Sequence, residues 1–196
     1  QAPEVREFLL RTSVLERLSA PLCDAMTGTR GTAQGLLDTL ERDNLFLVSL
    51  DDERGWYRYH HLFSDLLKLV LERTHTGLSA ELHRRACRWY EAQEMLPEAL
   101  GHALAAGDME LAAHIISNNV LALVENDEAV PTLQKIDSVP ADKMITLPWL
   151  GIARAWALGA GQVHKSHQIL DAVEKSVDDA PDSIERQRLK GHIAAA

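Results

Sequence analysis

The stretch from Asn44 to Arg73 changes its apolar period without a linker, and this limits what the chain can fold into. Leu45 to Leu50 is a short apolar, partly β-branched run, and Trp56 to His60 reads aromatic, basic, aromatic. Between them Asp51-Asp52-Glu53-Arg54-Gly55 is a polar reversal closed by glycine, so the pair predicts a β-hairpin. The spacing then shifts from two to 3.6. Leu62, Phe63, Leu66, Leu67, Val70 and Leu71 fall on one side of a helix that His75-Thr76-Gly77 can end.

Upstream, Val5 to Leu18 follows helical spacing loosely, with Thr12-Ser13 interrupting the middle, and predicts one kinked helix. Pro21 to Met26 predicts a second, with Pro21 in its first turn and Gly28 at its exit. A third begins after Thr32 as N-cap, carries Leu36, Leu37 and Leu40 on one face, and ends at Asp43-Asn44. Three helices and a hairpin are the order of a winged helix.

Downstream of Gly77 the pattern is helical throughout. Ser79 is a cap for a helix to Ala92, Pro97 and Glu98 suit the opening of the next, and Asp108 caps a third carrying Leu111, Ala112, Ile115 and Ile116. Further helices are expected from Val130 to Val139, from Pro148 to Leu158, and along the stripe Val163, Ser166, Leu170, Val173, Val177. The segment from Ile184 to Ala196 reads as the first helix of a pair whose partner is missing, expected to fray or to pack against another molecule. Trp89 and Trp156 lie two tetratricopeptide periods apart, and small residues (Cys87, Ala99, Ala103, Ala106, Ala153, Ser166) stand where helices would cross. The expected fold class is therefore mostly α: a winged-helix domain at residues 1–77, then a degenerate tetratricopeptide-like solenoid at residues 78–196.

Three stretches resemble the large ATP-binding transcriptional regulators of the MalT/LuxR type: Phe8 to Gly28, the hairpin with its exit Tyr57 to Phe63, and Leu82 to Asp108. Most specific are YRYHHLF and LPEALGHALAAGD. In such proteins a nucleotide-binding module precedes the winged helix, and a helical-repeat sensor and a C-terminal helix-turn-helix follow it. The resemblance implies ATP or ADP held mainly on that other domain, an inducer or regulatory protein as partner, and nucleotide-binding and DNA-binding domains in cis. It also implies a role for Tyr59-His60-His61-Leu62-Phe63, which looks like the Met-His-Asp motif of related ATPases of plant immunity and apoptosis. His60 takes the place of the phosphate-sensing histidine, and His61 replaces the aspartate. From the residues alone, alternation along a strand would turn one imidazole to the core, where it caps the helix or satisfies a carbonyl, and solvate the other.

Trp149, Arg154 and Trp156 are the other candidates, on a helix where the resemblance places inducer or protein binding. Trp149 and Trp156 share a face at heptad spacing, which could stack on a ligand, but packing between repeats is the preferred reading because large aromatics at that spacing are what helix stacking uses.

Other chemistries are excluded. No phosphate loop, G-x-G-x-x-G, H-E-x-x-H or G-x-S-x-G occurs, so no catalytic or metal residues are expected, and Asp51-Asp52-Glu53 reads as a solvated turn. Cys23 and Cys87 fit a reducing cytoplasm rather than a disulfide framework, and no apolar run is long enough for a membrane span. A free-standing helical-repeat adaptor is the alternative to a regulator fragment.

Of 196 residues, Lys and Arg number 20 and Asp and Glu 29, a net charge of −9. The basic cluster Arg84, Arg85, Arg88 shares its helix with Glu81 and Glu91, and the third helix, where a winged helix reads DNA, offers only Gln34 and Arg42 against Asp38, Glu41 and Asp43. Counterion release therefore favours no duplex contact. The chain is expected to leave random duplex DNA unshifted in a mobility assay at low salt; a salt-sensitive shift would contradict this.

Overall fold

The structure, a computed structural model, describes residues 3–43, 46–52, 55–125, 136, 139–179 and 181–195. The chain divides into two compact units, Gln1–Ala92 and Gln93–Ala196.

The first unit contains α1 (Pro3–Thr12), α2 (Ala20–Thr27), α3 (Ala33–Arg42), β1 (Leu47–Ser49), β2 (Tyr57–Tyr59), α4 (His61–Thr74) and α5 (Leu78–Ala92). The strands pair antiparallel, Leu47 opposite Tyr59 and Ser49 opposite Tyr57. On its other edge β2 is bridged by Leu18: the Leu18 N–H donates to the Tyr57 carbonyl and the Tyr57 N–H to the Leu18 carbonyl, both at 2.8 Å. Tyr57 is thus held on both sides, and the period of two along β2 buries Tyr57 and Tyr59 while Arg58 faces out. Leu18, Leu22, Met26 and Leu37 of the same unit are fully buried as well.

That bridge corrects the expected helix to Leu18. α1 stops at Thr12 because Thr12 Oγ1 donates back to the Phe8 carbonyl at 2.8 Å and Ser13 Oγ to the Leu10 carbonyl at 2.7 Å. Such hydroxyls compete for the groups that would continue a helix. The freed chain swings Leu18 alongside β2. Thr12 Oγ1 also meets the buried Tyr59 hydroxyl at 2.8 Å, pinning α1 to the hairpin.

α2 has its proline in the first turn and ends at Gly28, whose φ of 77° is the left-handed exit that glycine tolerates. Thr32 stands at the N-cap of α3, but its side chain makes no cap bond. Asp24 supplies it instead. Its Oδ1 accepts from Ala33 N–H at 3.1 Å and Thr29 Oγ1 at 3.0 Å, and its Oδ2 accepts from Gly31 N–H at 2.5 Å. Asp51 plays a similar part in the hairpin, accepting from the N–H groups of Gly55 and Trp56 at 2.8 and 3.0 Å. Among the described residues no group of His, Cys, Asp and Glu is arranged for a metal ion.

α4 departs from its predicted stripe. Leu67 and Leu71 are buried, Phe63 and Val70 are partly covered, and Leu62 and Leu66 are exposed together with Leu69. α5 packs against α2 and α4, and Ser79 lies one residue inside it rather than capping it.

The second unit contains α6 (Leu96–Ala105), α7 (Met109–Glu125), α8 (Ala141–Thr146), α9 (Pro148–Leu158), α10 (Val163–Asp178) and α11 (Ile184–Ala194). Asp108 caps α7 as expected, Oδ1 accepting from Leu111 N–H at 3.1 Å. A kink at Asn119, with φ −132°, interrupts α7. Most of the helix expected from Val130 to Val139 lies outside the described residues. α9 and α10 pack along their lengths, Ser166 Oγ donating to the Ala155 carbonyl at 2.9 Å where they cross. Ser166, Leu170, Val173 and Val177 are buried as the stripe predicted, but Val163 is exposed.

α11 has partners within the chain. It packs on α9 and α10, burying Leu189, and Ser183 caps it by accepting from Arg186 N–H at 3.1 Å. No described helix is long and apolar enough to cross a membrane.

Burial alone would raise the Asp24 carboxyl, but the donors from Gly31, Thr29, Ala33 and Thr32 outweigh it and hold the pKa below the ordinary 3.8. The folded value is depressed, so its stabilising contribution is present above pH 3.8 and lost as pH falls through the folded value. Asp24→Ala is expected to cost about 1–2 kcal/mol in urea unfolding at pH 7. Asp24→Asn, which retains an acceptor, should cost less and flatten the acid limb of the stability curve. An unchanged midpoint for Asp24→Ala would contradict this account of the α3 cap.

Candidate functional site

His60 and His61 stand where β2 hands over to α4. His60, at φ −57° and ψ 135°, is the N-cap by position, and its carbonyl accepts from Phe63 and Ser64 N–H at 2.9 and 3.0 Å. Its side chain makes no cap bond. His61 is already helical, so the strand alternation expected to bury one ring has ended, and both imidazoles are exposed. Their rings lie 4.3 Å apart, tilted by 33°. Donors on paired rings beside the first turn of a helix face solvent together, and a helix N-terminus favours negative charge.

Around this pair exposed apolar side chains stand among exposed charged ones, Arg58, Asp65 and Lys68. Phe46 adopts φ 58°, a region unfavourable for a bulky residue, while its carbonyl accepts from His60 N–H at 2.7 Å. Its ring stacks on Phe63 at 5.0 Å and remains exposed. Leu62, Leu66 and Leu69, at i, i+4 and i+7, line the outer side of α4, and Leu62 is 67% exposed. Phe46, Leu62, Leu66 and Leu69 are large exposed apolar side chains near an imidazole pair, a feature that marks interaction surfaces when such residues cluster.

Trp149, Arg154 and Trp156 do not form one site. At 100° per residue Arg154 stands about 140° around the helix from Trp149, whereas Trp156 returns close to it. The two indoles lie under α11. Trp149 is buried and its Nε1–H donates to Glu185 Oε1 at 2.5 Å, with the Arg188 guanidinium 5.4 Å from its ring centre. His192 packs edge-on to Trp149 at 5.1 Å and lies 6.1 Å from Trp156. Arg188 Nη2 also donates to the Ser117 carbonyl at 2.9 Å, tying α11 to α7. Arg154 instead enters a cavity of about 370 Å³ bounded by α8, α9 and α10, its Nη1 meeting Met144 Sδ at 3.3 Å. Lys165 lines the same cavity from α10.

The sequence reading missed Glu185, Arg188, His192 and Lys165. The first three sit on a helix assigned no intramolecular partner, so no pairing could be inferred for them. Lys165 had a usable signal, since Lys165, Ile169 and Val173 fall on one side of α10, the side that the cavity uses.

Residues 1–79 match the MalT winged helix domain family. The chain is MalT-like, with a MalT winged helix domain at its start. It is 38% identical over 156 residues to the serine/threonine-protein kinase PknK of Mycobacterium tuberculosis, covering 79% of this chain and 14% of the kinase. It is 33% identical over 158 residues to the HTH-type transcriptional regulator MalT of Cronobacter sakazakii, covering 79% of this chain and 17% of the regulator. The chain thus spans less than a fifth of the length of these relatives. The MalT match takes in the Asp24 cap, the Leu18 bridge and the His60–His61 junction, and ends as α5 begins.

The indole–carboxylate bond predicts what holds α11 in place. Glu185→Ala, at an exposed position, is expected to speed amide exchange several-fold across residues 184–194 and leave α6 and α7 unchanged. Equal exchange in the variant and the parent would mean that Leu189 and Arg188 hold α11 without it.

Proposed function

We propose that the chain is the coupling segment of a larger regulator, its winged helix receiving the nucleotide state of a neighbouring ATP-binding domain and its helical unit sensing an inducer or a regulatory protein. The observation that carries this reading is the exposed His60–His61 pair flanked by Phe46, Leu62, Leu66 and Leu69 in a MalT winged helix domain. An apolar face with two ring donors suits a protein surface that presents a phosphate at its edge. The apolar part supplies area, and the imidazoles supply direction.

In this reading residues 1–77 are the winged helix proper, α5 is a helix docked on it, and the helical segments from residue 78 onward are tetratricopeptide-like. His60 takes the phosphate contact and His61 a lesser one. ADP favours a closed, resting arrangement because the contact exists in that arrangement alone, and a ligand shifts an equilibrium only by its differential affinity. The output need not be transcription. One relative is named a transcriptional regulator and another a protein kinase, so the same segment stands in proteins with different outputs. The site is proposed for the cytoplasm, where the nucleotide is available.

A hydrogen bond to a charged phosphate contributes about 1.5–3 kcal/mol, which is roughly a 10- to 150-fold change in an equilibrium. In the protein that joins this chain to its nucleotide-binding domain, His60→Ala is expected to speed ADP release by that order and raise inducer-independent output, with His61→Ala doing much less. Unchanged ADP release in both variants would contradict the coupling role and favour a repeat adaptor. Equal effects at the two positions would contradict the assignment of His60 to the phosphate.

A further inference from the structure

We propose that the free edge of β1 pairs with β1 of a second copy of this chain, antiparallel about a twofold axis at Val48, so that the two hairpins join into one continuous sheet. The sheet orders β1 beside β2, and Leu18 bridges the far side of β2, which leaves β1 as the outer edge. The ladder fixes which groups of that edge point outward. The Leu50 N–H donates to the Trp56 carbonyl at 2.8 Å and the His60 N–H to the Phe46 carbonyl at 2.7 Å, so Phe46, Val48 and Leu50 are the residues that exchange bonds with the β2 side. Leu47 and Ser49 therefore turn their N–H and carbonyl groups away from β2, and among the described residues nothing bonds to those groups.

Exposed sheet edges are ordinarily blunted by a charge, a proline or a covering element. From Leu45 to Leu50 the sequence has neither charge nor proline. Val48 is 45% exposed and Leu50 42%, while Leu47 between them is buried. The pairing is self-complementary, as a twofold interface requires. Setting Leu47 against Ser49 of the second copy, and Ser49 against its Leu47, satisfies the outward N–H and carbonyl groups of both strands. The same register sets Val48 directly opposite Val48 of the second copy and Leu50 opposite its Phe46, which is 57% exposed, so exposed apolar residues meet one another along the strand. A slip of two residues either way would leave Leu47 or Ser49 facing a residue outside β1.

The edge is short. A strand of 3 residues flanked by a few exposed apolar side chains buries less than the roughly 1,200 Å² at which stable complexes begin. The dimer is therefore reversible, with a Kd on the order of 100 μM. The pairing does not depend on the nucleotide reading. Phe46 also stacks on Phe63 beside the histidine pair, so a domain docked on that face and a second copy on this edge compete for it.

Sedimentation equilibrium of the 196-residue chain, from about 10 μM to about 1 mM, is expected to show a monomer–dimer equilibrium. A monomer throughout would overturn the proposal. Ser49→Pro removes an outward N–H and keeps the bonds to β2, so it should weaken the dimer about tenfold with an unchanged circular dichroism spectrum. Leu66→Glu, at an exposed position of α4, should leave the dimer unaltered. A dimer lost in Leu66→Glu and kept in Ser49→Pro would put the interface on α4 and overturn the pairing. Cysteine trapping reads the register itself. Residue 48 lies opposite its own copy at a Cα separation of about 4.5 Å, within disulfide reach, so Val48→Cys should crosslink under oxidised glutathione. Leu50→Cys, at a similarly exposed position, is out of register with its own copy and should stay uncrosslinked. Cys23 and Cys87 are buried and do not compete. Crosslinking of Leu50→Cys as fast as that of Val48→Cys, or none in either, would overturn the proposal.

Discussion

The structure of the first unit depends on the way the backbone of Tyr57 is held. Its N–H and carbonyl both pair with Leu18, while its strand pairs on the other edge with β1. A two-stranded hairpin alone is marginal in water, and a third edge contact with a hydrophobic face is what makes such a sheet persist. Leu18 supplies that contact from between α1 and α2, so the helices and the wing cannot separate without breaking two backbone bonds in a fully buried core. Three residues beyond Tyr57 the chain reaches His60. The direction in which the histidine pair faces is therefore inherited from a pairing made on the opposite side of β2.

Much of this was legible in sequence. The change of period at Leu62, the proline in α2, Gly28 and Asp108 each announced an element boundary, and the structure places them there. What was not legible depended on tertiary contacts. A single bridging residue such as Leu18 has no periodicity of its own, and a hydroxyl pair such as Thr12-Ser13 reads as a kink unless its acceptors are known. Thr32 looked like the cap of α3 by position, whereas the cap bonds go to Asp24, eight residues earlier, through a turn that no short-range rule connects.

The candidate sites divide in the same way. His60 and His61 were identified as residues, but strand alternation gave the wrong burial because the helix begins between them. Trp149 and Trp156 were placed on one face, and they share one, under α11. Grouping Arg154 with them neglected the helical rotation that turns it toward α8 and α10. α11 reverses a broader expectation. It was read as the first helix of a pair whose partner is missing, yet Glu185, Arg188 and His192 engage α9 through polar and aromatic contacts that hydrophobic patterning does not register.

The proposal for the winged helix rests on its exposed face, where α4 turns Leu62, Leu66 and Leu69 outward beside the histidines. A face left uncovered in this way is used only if something covers it in one state and not in another. The most direct measurement is amide exchange across residues 60–69 in the longer protein, with and without ADP. Protection of that stretch by ADP, relative to β1 and α2 as internal references, is the predicted result; identical exchange in the two states would contradict a nucleotide-dependent docking face.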